Sequence, residues 1–147
     1  MAPDLDVVAF RFGVAYAHDL GHRGMTHSIF FALLMAMALV PLSRFLHSTS
    51  RTVFFFILTC TASHGLLDMF TNGGLGVAYF WPFSSERYFS PWQVIQVSPL
   101  SLSRVFSPSG LLLFESEVTW LWLPAAILAL TAYAVRRRVQ ASHAADA

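Results

Sequence analysis

Lysine is absent from this chain of 147 residues, and all nine basic residues are arginine, a compositional bias with no mechanistic meaning of its own. A single cysteine, Cys60, excludes an intrachain disulfide. Set in the run Phe54-Phe55-Phe56-Ile57-Leu58-Thr59-Cys60, it is expected to be a small buried residue. Charge is also scarce. Charged residues make up 12% of the chain and hydrophobic residues 56%, whereas a soluble domain carries roughly 25% and 45–50%. That shortfall points to lipid as part of the solvent. A formal net charge of +1 gives no case for a nucleic-acid partner. The first 27 residues show no signal-peptide pattern and the chain shows no internal repeat. Its length suits one domain of a few helices.

What is abundant is apolar sequence, in stretches able to cross a hydrocarbon core that needs about 20 helical residues. Residues 29–46 are apolar at first, then hold Pro41 and Arg44, and Arg44 can extend the span by snorkelling. Residues 52–70 are long enough but carry His64 and Asp68 in their last two turns. Residues 118–135 form the cleanest span, with Trp120 and Trp122 at one end and Tyr133 near the other, as an aromatic belt requires. The expected fold is all-α: a polytopic membrane helical bundle of three transmembrane helices within one domain, 1–147. Its long irregular loop, 71–117, is rich in Gly, Pro, Ser and aromatics. For the first two stretches the alternative is a buried helical hairpin in a soluble protein.

Arginine placement predicts the orientation. Arg136, Arg137 and Arg138 follow the third span directly, and Arg44 and Arg51 flank the turn between the first two. Both ends are thereby assigned to the cytoplasm. Residues 1–28 and 71–117 then share the opposite, periplasm-like side. The tail 140–147 is expected to fray, with His143 uninvolved.

Two polar clusters interrupt the apolar sequence on that shared side: His22-Arg23-Gly24-Met25-Thr26-His27-Ser28 and His64-Gly65-Leu66-Leu67-Asp68. Ionisable groups at a membrane segment are costly and ask for a functional reason. His64 and Asp68, four apart, lie on one helix face, suited to two ligands of one ion or to a ligand and a base. Their alternative is a helix-end hydrogen bond. His22 and His27 lie on either side of Gly24, and Thr26 or Ser28 can cap the helix that follows. Pro3-Asp4-Leu5-Asp6 adds two carboxylates that can supply hard oxygen ligands, or bridge two ions. Arg23 can grip a phosphate or carboxylate bidentately, or anchor a lipid headgroup. His18 and Asp19 have nothing to set them above loop residues.

Pro3-Asp4-Leu5-Asp6, the HRGxTHS segment, His64-x-x-x-Asp68 with Thr71 and Gly73-Gly74, and Trp81-Pro82-Phe83-Ser84 together resemble the membrane-bound metal-dependent hydrolases of the YdjM/YbcI type, the LexA-regulated inner-membrane proteins. The match runs in order over residues 3–90, and the combination of HRGxTHS with HxxxD is specific. The resemblance implies a multi-helix inner-membrane protein with a divalent metal. By that resemblance Asp4, Asp6, His22, His27, His64 and Asp68 are the expected ligands, with Arg23, Thr26 and Ser28 supporting them. It also implies a further apolar helix with a Thr-His motif ahead of the Pro-Asp-x-Asp segment. This chain, opening two residues before Pro3, is therefore expected to start late or to be truncated, lacking one packing helix and one ligand.

The leading expectation is a metal-dependent hydrolase of the inner membrane, cutting a phosphoester or similar bond of a lipid, lipid-linked or small-molecule substrate. One or two divalent ions would serve it, zinc first and manganese or magnesium next. Asp6 or Asp68 would act as general base and Arg23 as electrophilic helper. The competing expectation is a non-catalytic membrane protein whose His–Asp or metal cluster is structural or sensory. A small transporter with a proton relay fits less well, because its charges belong near the midplane rather than at span ends. Association into a homo-oligomer is compatible with so few spans.

Overall fold

The computed structural model describes residues 2–97 and 108–145. Its regular elements are all helical, with one isolated antiparallel bridge between Val77 and Tyr88. The chain divides into two compact units, Met1–Gln93 and Val94–Ala147.

The first unit opens with a 3-10 helix, Pro3–Phe12, which starts on a proline and ends at Gly13 in the left-handed region. A short 3-10 turn, Met25–His27, leads into α1, Ile29–Leu39. Ser28 caps α1: its hydroxyl accepts from the Phe31 N–H at 3.0 Å. Pro41 has no N–H to offer the Met37 carbonyl, so the chain tightens into the 3-10 segment Val40–Arg44. Thr49 caps α2, Ser50–Asp68, in the same manner, accepting from Thr52 N–H at 3.1 Å.

α1 and α2 pack as a hairpin through small residues. Ala32 and Ala36, one turn apart, are fully buried and Val53 nearly so, which lets the two backbones approach closely. The large apolar side chains Leu33, Leu34, Met37, Phe55, Phe56 and Leu66 point outward. The hairpin is therefore built inside-out relative to a soluble core. Cys60, expected to be buried, is instead exposed. Cys60 lies one turn after the exposed Phe56 on the outward face of α2, so its place on the helix and not its size decides its exposure.

The second unit holds α3, Pro108–Glu117, a π turn, Val118–Trp122, and α4, Leu123–Ala145. Of the three expected spans, the helical stretch Gly110–Ser142 is, among the described residues, the one long and apolar enough to cross a membrane. The first is a shorter apolar helix, Ile29–Arg44, broken in character at Pro41. The expected loop 71–117 is corrected at its end. Pro108-Ser109-Gly110 reads as a turn, yet proline at the first position of a helix starts α3 there. Residues 98–107 of that loop lie outside the described residues. The tail is helical to Ala145 rather than frayed, and the His143 side chain lies outside the description.

Candidate metal centre

Three pieces of chain meet at the end of the hairpin where α1 begins and α2 ends. The Pro3–Phe12 helix brings Asp4 and Asp6, the Met25–His27 turn brings His27, and the last turns of α2 bring His64 and Asp68. Gly65 permits the meeting: a Cβ there would collide with the His27 carbonyl oxygen. Gly24 does the same one strand of chain away, where a Cβ would strike the Asp19 carbonyl. Directly before Gly24, Arg23 adopts φ 62°, a left-handed conformation rare for a side chain of its size. It is held there by its N–H on Asp6 Oδ2 (3.2 Å) and by its carbonyl accepting from Ala78 N–H (3.0 Å).

Two overlapping groups of donor atoms result, and each could hold a metal ion. Asp4, His27, His64 and Asp68 form one; Asp6, His22 and His27 form the other. In the first, His64 Nε2 stands 3.2 Å from Asp4 Oδ1. His27 Nε2 stands 3.5 Å from the same oxygen and 3.3 Å from Asp68 Oδ2. In the second, His22 Nδ1 is 2.6 Å from Asp6 Oδ1, and His27 Nδ1 is 3.2 Å from Asp6 Oδ2. Thr26 donates its hydroxyl to Asp6 Oδ2 at 2.6 Å and lies 3.0 Å from His27 Nδ1. The His27 side chain is completely buried, yet its Nε2 has no hydrogen-bond partner. A buried nitrogen left this way asks for an explanation.

Electrostatics match that geometry. Burial works against charge on His27, but the carboxylates of Asp4, Asp6 and Asp68 override it and raise the imidazole to about 10. Burial likewise opposes ionisation of Asp4 and Asp6. His27 and His64 beside Asp4, and His22, His27 and Thr26 beside Asp6, hold both carboxyls well below the usual range. Without an ion, the cluster stores a proton on His27 to offset its negative charge.

Arg23 is buried, with its Nε 3.2 Å from Asp68 Oδ2 and NH1 donating to the Gly73 carbonyl at 2.7 Å. Ser28, expected as a support, spends its hydroxyl on the Met25 carbonyl (2.7 Å) and on the helix cap. His18 and Asp19 stay outside both groups: His18 Nδ1 accepts from Leu20 N–H, and Asp19 Oδ2 accepts from Ser85 Oγ at 3.1 Å.

Sequence reasoning missed Arg87. Its NH1 donates to the His22 carbonyl at 3.0 Å, and its NH2 donates to the Tyr16 and His18 carbonyls at 3.1 Å each. One guanidinium thus ties the segment leading into the histidine motif to the loop after α2. No sequence signal sets it apart, because four of the nine arginines (Arg11, Arg23, Arg87 and Arg104) fall in the segments assigned to that side of the membrane.

Residues 1–142 match the family described as YdjM inner membrane protein. The chain belongs to the YdjM family. It is also similar to inner membrane protein YbcI of Escherichia coli (strain K12), at 45% identity over 129 residues, which is 87% of this chain and 75% of the relative. No solved structure matches. Membership gives the chain an inner-membrane location and makes the bilayer its surroundings, in keeping with the outward-facing apolar side chains of the hairpin. Every donor of the two groups lies within the matched stretch.

Proposed function

We propose that this YdjM-family protein is a multi-pass inner-membrane hydrolase that depends on one divalent ion, held by Asp4, His27, His64 and Asp68. The bond cut is a phosphoester, or a similar bond, of a lipid or membrane-associated substrate. The observation that carries the reading is the buried Nε2 of His27, which converges with carboxylate oxygens of Asp68 (3.3 Å) and Asp4 (3.5 Å) without a well-formed hydrogen bond, with His64 completing the set. Two imidazoles and two carboxylates suit zinc, with manganese or magnesium next. A bound divalent ion would supply Lewis acidity and lower the pKa of water at the site.

The protein's own residues have separable tasks. Thr26 Oγ1, whose own proton goes to Asp6 Oδ2, accepts from Nδ1 of His27, and Asp6 Oδ2 stands 3.2 Å from the same nitrogen; together they favour the tautomer that leaves Nε2 free as a donor toward the ion. Thr26 and the Arg23 N–H hold Asp6 in turn. Of the two carboxylates expected as general base, Asp68 is the better placed, because both Asp6 oxygens are engaged. The Arg23 guanidinium steadies Asp68 and adds positive charge where negative charge develops on a phosphoester. Asp4, with 38% of its side chain exposed, marks the open side of the set. A second ion at Asp6, His22 and His27 would have to break the 2.6 Å His22–Asp6 contact, which favours a single ion. The arginines at 136–138 support a cytoplasmic C-terminus and a periplasmic site.

A closed structural or sensory site is the competing reading, and the burial of His22 and His27 favours it. Metal analysis of the purified full chain, joined to phosphodiesterase assays on bis-p-nitrophenyl phosphate and on phospholipid, separates the two. Hydrolysis lost together with the ion in His64→Ala supports the hydrolase. A full complement of ion without turnover supports the structural site, and an unchanged ion content in a His27→Ala, His64→Ala variant sinks the metal reading altogether.

A further inference from the structure

The Pro3–Phe12 helix has a second face that the donor set does not use. With three residues per turn, a 3-10 helix lines up every third side chain. Pro3, Asp6 and Ala9 form the inward row, the first two buried and Ala9 half-buried. Leu5, Val8 and Arg11 form an outward row, with Leu5 68% exposed and Arg11 exposed as well. Phe12 follows at 82% exposure. Phe12 is in register with the inward row but lies past its end and is exposed. Two large apolar side chains and an arginine on one free face, with this exposed phenylalanine at its end, are a liability in water and an asset at a lipid headgroup layer.

The position of this helix supplies the second argument. Asp4 reaches His64 at 3.2 Å and Asp6 reaches His22 at 2.6 Å, so the helix is laid across the end of the α1–α2 hairpin. The following loop is pinned to the same end: Ile29 N–H donates to the Tyr79 carbonyl (3.1 Å) and Ser90 N–H to the Met69 carbonyl (2.8 Å). That loop exposes Phe83 (89%) and Trp92 (72%). Exposed aromatics at the end of an apolar hairpin have the chemistry of a membrane–water interface.

We infer that the Pro3–Phe12 helix is an interfacial element, seated in the lipid headgroup layer. Leu5, Val8 and Phe12 enter the acyl boundary, and Arg11 lies among anionic headgroups. The occupant of this face is the bilayer itself. The hairpin across whose end the helix lies exposes large apolar side chains of its own, and Arg11 complements an anionic surface. The inference deepens the hydrolase reading, on which it rests for its substrate: the exposed edge of Asp4 faces the headgroup layer, so a phosphoester anchored in that leaflet reaches the donor set without leaving the membrane.

The test uses the full chain in vesicles of phosphatidylethanolamine and phosphatidylglycerol. On a Cys60→Ser background, Leu5→Cys, Val8→Cys, Phe12→Cys and, as a deep reference, Leu34→Cys are each labelled with an environment-sensitive fluorophore. Quenching by shallow and deep lipid nitroxides is compared with quenching by aqueous iodide. The expected result is several-fold stronger quenching by the shallow nitroxide than by iodide at positions 5, 8 and 12, with the deep nitroxide most effective at position 34. Strong iodide quenching at 5, 8 and 12 overturns the inference. So does protection from both quenchers with energy transfer between differently labelled copies, since a second copy then covers the face. Ion content measured on the same vesicles keeps the two readings apart. Ion-loaded protein with water-exposed probes defeats only the interfacial helix, whereas ion-free protein with lipid-buried probes defeats only the metal site.

Discussion

Asp6 Oδ2 lies 3.2 Å from Nδ1 of His27, on the opposite edge of the ring from the buried Nε2 that faces Asp4 and Asp68. The carboxylate therefore governs the imidazole without sharing its open side. Asp6→Asn keeps the shape and removes the charge that favours the Nδ1–H tautomer. We expect divalent-ion affinity to fall about 10–100-fold, the usual effect of losing such a partner. Asp4→Asn removes a donor of the set and should weaken binding further. Titration calorimetry with zinc on the detergent-solubilised chain reads both. Equal affinities for Asp6→Asn and the parent would return Asp6 to a purely structural part.

Proton competition gives the pH dependence. In the ion-free protein His27 is raised from 6.5 to about 10, so it is protonated near neutrality and must lose that proton to bind an ion. Binding should release about one proton from this group between roughly pH 7 and 9, with affinity climbing up to about tenfold per pH unit. The ion-free fold should respond in the opposite sense. A raised pKa means the His27 contribution is complete below its ordinary value and lost as pH rises toward about 10. Asp4 and Asp6, held low, contribute above the ordinary carboxylate range and lose that contribution only as acid protonates them in the fold. Thermal unfolding of chelator-treated protein across pH checks this. A melting temperature that rises from neutral to alkaline pH would contradict it.

The sequence carried the donors but not their division of labour. Four-residue spacing puts His64 and Asp68 on one helix face, and the arginine pattern assigns the N-terminal carboxylates to the same side, so the meeting of all six donors was legible. Which of them faces an opening was not. Asp4 and Asp6 are two apart on the same short helix, and only three-dimensional packing turns Asp6 under His27 while Asp4 stays half exposed. Arg23 shows the same limit. Its type suggests a group offered to substrate, yet the left-handed backbone turns its guanidinium onto Asp68 and Gly73. Cys60 failed for a different reason. Apolar surroundings imply burial only where water is the solvent, and here the small alanines hold the contact face.

Gly65 is the point where α2 and the His27 turn touch. A methyl group there meets the His27 carbonyl oxygen, a backbone atom that cannot swing aside. Gly65→Ala should cost about 1–3 kcal/mol from overpacking. It should also push His27 away from His64, whose rings now lie 5.0 Å apart. The expected outcome is a lower melting temperature together with at least a tenfold loss of ion affinity. Unchanged values in both would mean that the two segments separate freely.

Arg87 is predicted to act at a distance from the donors. Its guanidinium donates to the carbonyls of Tyr16, His18, His22 and, at 3.4 Å, Gly76, and lies over the Tyr16 ring, with Cζ 5.9 Å from the ring centroid. Burial pulls the guanidinium pKa down, but Arg87 stays charged at neutral pH. Arg87→Ala leaves those carbonyls to find water, and hydrogen bonds to charged groups are worth about 1.5–3 kcal/mol each before compensation. We expect amide exchange to quicken by an order of magnitude or more across residues 16–24, with α2 protected as before. Arg87→Lys keeps the charge but not the fork, so it should recover little. Full recovery by lysine would show that charge alone, and not the fan of four carbonyl contacts, holds the histidine segment in place.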